Sequence, residues 1–130
     1  MISALCSLIV LAASQGWTSH YAPYVMDTVI DNRQSWGQLP VNLMMYDGFV
    51  AVPECDRIGE VVFARPMGAD EWDMLLVTDC AMPVGTDGAY EWMVDNNILI
   101  EVDWVTAVRW GAVGGGARIE IGEPWLGCAI

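Results

Sequence analysis

The stretch Asp73-Met74-Leu75-Leu76-Val77-Thr78-Asp79-Cys80-Ala81 decides the reading of this chain. An apolar run ends in a lone carboxylate, and a cysteine follows at once. A run this short and this apolar, bounded by acids, reads as a strand covered on both faces. Such a strand delivers Asp79 to its end on a rigid frame, and a disulfide from Cys80 would fix the backbone beside it. A carboxylate held this way can exchange protons with a substrate, or it can accept backbone hydrogen bonds at a loop.

Working outward, short extended segments recur on both sides. Residues 17–21, 48–52, 60–65, 98–102 and 117–121 read as further strands. They are separated by the turn signals Asp47-Gly48, Gly68-Ala69-Asp70, Thr86-Asp87-Gly88 and Gly114-Gly115-Gly116. Val25, Met26, Val29, Ile30, Arg33 and Trp36 recur at helical spacing, opened by Pro23 and stopped by Gly37. A second, shorter helical segment spans residues 105–110 and stops at Gly111. Trp36, Trp104 and Trp110 lie on or beside these segments and read as core. Strands at this spacing, with an inserted N-terminal helix and one short helix, predict a small, mainly β, closed barrel. At 130 residues, with no internal repeat and no linker, the chain is one domain at most.

The charge balance narrows the partners. Seventeen acids face five Arg and no Lys, a net charge of -12. That field repels phosphate backbones and anionic lipid, which argues against nucleic-acid binding. It suits neutral or cationic partners. Seven Trp supply large, rigid surfaces for a core or for stacking on a ligand.

Residues 2–13 form an uncharged apolar run. It is too short for stable membrane insertion, since a spanning helix takes about 20 residues. Small residues follow, Ala12, Ala13, Ser14 and Gly16, as at the cleavage region of a secretory signal. The basic start of such a signal is missing, because no Lys or Arg precedes Arg33. The expectation is a signal peptide over residues 1–16, a domain over residues 17–130, and a secreted or periplasmic location. The alternative is a first strand or helix that stays, through which the chain could assemble.

The cysteines sort accordingly. Cys6 would leave with the signal, Cys55 and Cys80 are the natural pair, and Cys128 is left over to pair between chains. Two buried thiols in a reducing compartment are the other option. The absence of Cys-x-x-Cys and the single His argue against a zinc site. Asp70-Glu71-Trp72-Asp73 lacks the spacing of a calcium loop and reads as a loop solvated by its own charge. No metal or cofactor is expected.

Three segments carry a resemblance: Asp47-Gly48-Phe49-Val50-Ala51-Val52-Pro53, Asp56-Arg57-Ile58-Gly59-Glu60-Val61-Val62, and Leu76-Val77-Thr78-Asp79-Cys80-Ala81. Their order resembles the double-psi β-barrel proteins, among them expansins, barwin-like proteins and rare lipoprotein A. Ile100-Glu101-Val102-Asp103, followed by Thr106-Ala107-Val108-Arg109-Trp110-Gly111, is similar to the end of the three-aspartate domain of bacterial cell-wall enzymes. Ser19-His20-Tyr21 is similar to the first strand of rare lipoprotein A. The likeness spans roughly residues 17–121. It departs near Pro53, where the first aspartate of the triad is replaced, at Ala81, which stands where the family has Gly, and in the inserted helix.

The resemblance implies a six-stranded double-psi barrel with aspartates of the triad at Asp79 and Asp103. Asp79 would be the acid/base of a single-aspartate lytic transglycosylase or other glycan-cleaving enzyme, assisted by Asp103. Trp72, Tyr90 and Trp92 flank the expected groove strands and suit stacking on sugar faces, and His20 is in place to reach a ligand. The expected partner is a polysaccharide or peptidoglycan. The alternatives are a non-catalytic, expansin-like binding module and a structural component that assembles through its apolar N-terminus.

Overall fold

The computed structural model describes residues 5–81 and 88–129. Six strands close in a ring: β1 (Leu5–His20), β2 (Gly48–Val52), β3 (Val61–Pro66), β4 (Asp73–Cys80), β5 (Ile98–Val102) and β6 (Ala117–Ala129). Around the ring the order is β1-β5-β2-β4-β3-β6, which returns to β1. The pairs β1·β5 and β2·β4 are parallel and the other four are antiparallel. Three short helices accompany the sheet: α1 (Val25–Ser35), α2 (Ala89–Asp95) and α3 (Trp104–Trp110).

The mainly β expectation holds, and the alternation of small β-branched residues explains it. Val50, Val52, Val62, Ala64, Leu75, Val77, Ile100, Val102, Ala107 and Ile119 fill the ring as one buried cluster. Residues between them, such as Ala51 and Glu101, face outward. The first helix and the helix ended by Gly111 lie where the spacing predicted. Met26 and Ile30 of α1 are buried, and the buried Thr78 hydroxyl lies 3.0 Å from Met26 Sδ, which ties α1 to β4.

Three expectations need correction. Trp36 is not core: it is 64% exposed at the end of α1. Residues 89–95 form a helix, so Tyr90 does not flank a groove strand but rides on α2, packed on the cluster of Ala81, Met93 and Ile98. Both β1 and β6 run well beyond the expected segments, as a ribbon from Leu5↔Ala129 to Thr18↔Ala117. The sheet thus takes in most of the apolar run expected to be a signal. The turn expected at Thr86-Asp87 and the side chain of Cys128 lie outside the described residues.

Gly48 shows how tightly the ring is closed. A Cβ there would overlap Thr106 Oγ1 and press on Asp103 Oδ1 and Leu75 Cδ2. Gly48→Ala is therefore expected to lower stability by about 2 kcal/mol, the scale of overpacking in a filled core. Urea unfolding should show an earlier midpoint with an unchanged slope.

Candidate functional site

Asp79 sits at the end of β4 beside a β-bulge. The register of β2 against β4 shifts between Val50 and Ala51, so Ala51 stands opposite Asp79. On its other side Ala51 stands opposite Glu101 of β5, and Glu101 in turn stands opposite Ser19 of β1. Directly opposed residues share a face. Ser19, Glu101, Ala51 and Asp79 therefore form a row across the outside of four strands. Two strand spacings separate the Asp79 and Glu101 backbones, about 10 Å.

Two further groups close over this row. Tyr21, just past β1, donates its hydroxyl proton to Asp79 Oδ2 at 2.6 Å. Arg33 of α1 donates to Asp79 Oδ1 at 2.9 Å, as an ion pair. The Asp79 side chain keeps 21% of its exposure, so it is neither sealed in the core nor open on the surface. Burial holds the Tyr21 hydroxyl above the ordinary phenol range, and the bond to Asp79 and the charges of Asp79 and Glu101 push it further. Burial also raises the Glu101 carboxyl, and the nearby charge of Asp79 adds to it. The Ser19 hydroxyl lies close enough to Glu101 to oppose that shift, yet it is outside hydrogen-bonding geometry and has no partner among the described residues.

The sign of the Glu101 shift has a consequence for pH. A carboxyl with a raised folded-state pKa favours the fold while it is protonated. That favour is full below the ordinary glutamate value of 4.5 and is lost as pH rises through the folded value. Glu101→Gln, which mimics the protonated form, should therefore stabilise the protein at neutral pH and flatten the fall of stability above about 4.5. Thermal melts of both proteins from pH 4 to 8 check this, and parallel curves would refute it.

Ser19 also belongs to a cleft of about 500 Å³ beside the row. It is lined by Trp17, Thr18, Ser19 and His20 of β1, by Trp92, Asn96 and Ile98, and by the Gly114–Gly116 turn. Trp17 is 44% exposed and Trp92 48% exposed, so two indoles border one concavity with open surface to offer. His20 orders the glycine turn: the Gly114 N–H donates to His20 Nε2 at 3.0 Å. Its other ring nitrogen, Nδ1, stands 3.0 Å from the Tyr21 carbonyl, which sets the neutral tautomer with the proton on Nδ1. The ring packs edge-on against Trp104 at 5.5 Å between centroids.

The predicted site residues are thus partly gathered. His20 and Trp92 line the cleft together. Tyr90 packs against the small cluster of Ala81, Met93 and Ile98. Trp72 lies away from the cleft, under the Arg65 guanidinium at 4.0 Å. Cys55 and Cys80 form the expected disulfide, with Cα atoms 4.9 Å apart. Asp103 is buried, and its Oδ1 accepts from the Phe49 N–H at 3.1 Å and from the Thr106 hydroxyl at 2.5 Å. These bonds tie the start of α3 to β2 through one oxygen of the carboxylate. Trp17, Tyr21, Arg33 and Glu101 were not singled out as site residues by sequence. Alternation along Ile98–Val102 does place Glu101 on the outside, and the Ser19-His20-Tyr21 resemblance already included Tyr21.

Comparison of the chain with protein-family models, with curated proteins and with solved structures finds no match. Among the described residues, no helix is long and apolar enough to cross a membrane.

Proposed function

We propose that this is an exported glycan-binding protein of the double-psi β-barrel type, which holds a neutral polysaccharide chain in the cleft between Trp17 and Trp92. The observation that carries this reading is the pair of half-exposed indoles bordering one cleft with His20, Ser19 and Asn96. Flat aromatic faces stack on the apolar faces of sugar rings, and the exposed Asn96 side chain at the cleft suits a hydroxyl. A net charge of -12 favours a neutral chain over an anionic one. The six-stranded ring with two parallel pairs supports the barrel type, and the Cys55–Cys80 bridge supports export to an oxidising compartment. Titration calorimetry with cello- and chito-oligosaccharides tests the reading, together with retention on insoluble glucan, chitin and peptidoglycan. No heat and no retention on any of them would reject it.

A second reading, glycan cleavage, is favoured by the carboxylates beside the cleft. Glu101, raised by burial, suits a proton donor, and Asp79, paired with Arg33 at 2.9 Å, is the candidate base. Asp103, occupied by Phe49 and Thr106, gives up the assisting role to Glu101 in this scheme. Reducing-end release by the wild type and by Asp79→Asn decides it, and equal release by both would remove Asp79 from the chemistry.

A further inference from the structure

Beyond the ring, residues 5–11 of β1 and 123–129 of β6 form a ribbon of two strands only. β1 joins β5 between Trp17↔Ile98 and His20↔Val102, and β6 joins β3 between Pro66↔Ile119 and Phe63↔Gly122. Among the described residues, β1 and β6 past those limits pair only with each other, which leaves the outer edges of the ribbon without a ladder partner there. Both faces are apolar. Leu8 stands opposite Leu126 on one and Ile9 opposite Trp125 on the other, and all four are exposed, Leu8 at 60% and Leu126 at 71%. An isolated two-stranded ribbon is marginal in water; here Cys6 of β1, expected to leave with a signal, is instead part of the sheet and disulfide-bonded.

We propose that this ribbon is an assembly edge, on which a second copy of this chain sets its own ribbon, β1 edge against β1 edge about a two-fold axis. Charge selects the occupant. The chain carries -12 in all, yet residues 1–26 contain no Asp, Glu, Lys or Arg, and Glu123 is the single charge in residues 122–130. Two copies that approach by other surfaces bring carboxylates together; the β1 edge is where they meet without like charges. Backbone geometry selects against lipid. An open strand edge in hydrocarbon leaves unsatisfied N–H and C=O groups at several kcal/mol each, whereas a second β1 edge pairs them. The contact is isologous, so it closes at a dimer. It does not rest on the glycan reading.

Sedimentation velocity of the full chain over 1–100 µM tests it, with an intact mass on the same sample. The expected result is a dimer that retains residues 1–16 and tightens as salt rises, because screening weakens the repulsion between the two acidic rings. Leu8→Glu with Ile9→Glu should weaken the dimer at least tenfold while leaving the circular dichroism of the ring intact. Val105→Glu, at an exposed position of α3, should leave the dimer unchanged. Should the double variant unfold, Ser7→Glu at the same edge replaces it. A monomer at all concentrations, a dimer indifferent to these charges, or a dimer that persists after loss of residues 1–16 would overturn the proposal. So would flotation of the wild type with phosphatidylcholine vesicles in place of self-association.

Discussion

Replacing Trp17 and Trp92 together by alanine will abolish retention on the glycan that the wild type binds, and the protein will stay folded. Trp17 is 44% exposed and Trp92 48% exposed, so truncating either removes less packing than truncating a buried indole would. A stacking aromatic at the centre of a contact is worth about 2 kcal/mol, or roughly 30-fold in affinity. Each single variant should therefore bind about 30-fold more weakly, and the double variant beyond practical detection. Trp17 also lies 6.0 Å from the Arg118 guanidinium, an exposed cation–π contact worth about 0.5–1 kcal/mol. A modest fall in Tm for Trp17→Ala accordingly accompanies the binding loss and does not explain it. Trp36→Ala is the control, since that indole is exposed on the far end of α1 and lines no described cleft residue. Wild-type affinity in the double variant would remove the cleft from the proposed function.

Removing the Cys55–Cys80 bridge will cost the fold about 3.5 kcal/mol, by the chain entropy of its 25-residue loop. For a chain of this size that is a fall of roughly 10–15 °C in Tm. The bridge does more than shorten the unfolded chain. Cys80 pairs with Val52 in the ladder and directly follows Asp79, whose carboxylate holds Tyr21 and Arg33. The bridge therefore pins the strand end on which that network is built. Cys55→Ser with Cys80→Ser, melted beside the oxidised wild type, should show the fall. A change below about 1 kcal/mol would mean that the ring alone orders this strand end.

The strands were legible because their residues carry the pattern. Val50 and Val52, like Ile98, Ile100 and Val102, alternate inward along short segments, and the period of two reads directly from the chain. Asp79 and the Cys55–Cys80 pair were legible for the same local reason: one ends an apolar strand, the others are the cysteines left once the termini are set aside. The helix α2 was not. Its seven residues include Tyr90, Trp92 and Val94, which favour strands by propensity. Burial of Met93 against Ala81 and Ile98 outweighs that preference. The long ribbon was not legible either, because an uncharged apolar run at the start of a chain has the composition of a signal whether or not it pairs with the other end.

What the chain settled by itself was periodicity, charge and the spacing of its cysteines: a mainly β chain of strongly acidic charge, with a carboxylate beside a cysteine at a strand end. Those properties are local or additive, so they need no coordinates. The grouping of residues across the ring was decided only in three dimensions. Tyr21 and Arg33 reach Asp79 across 58 and 46 residues, and Trp17 meets Trp92 at a cleft walled by a third segment, Gly114–Gly116. Closing the ring selects such neighbours through strand order and register. A shift of one residue in register would turn Glu101 from the outer row into the core.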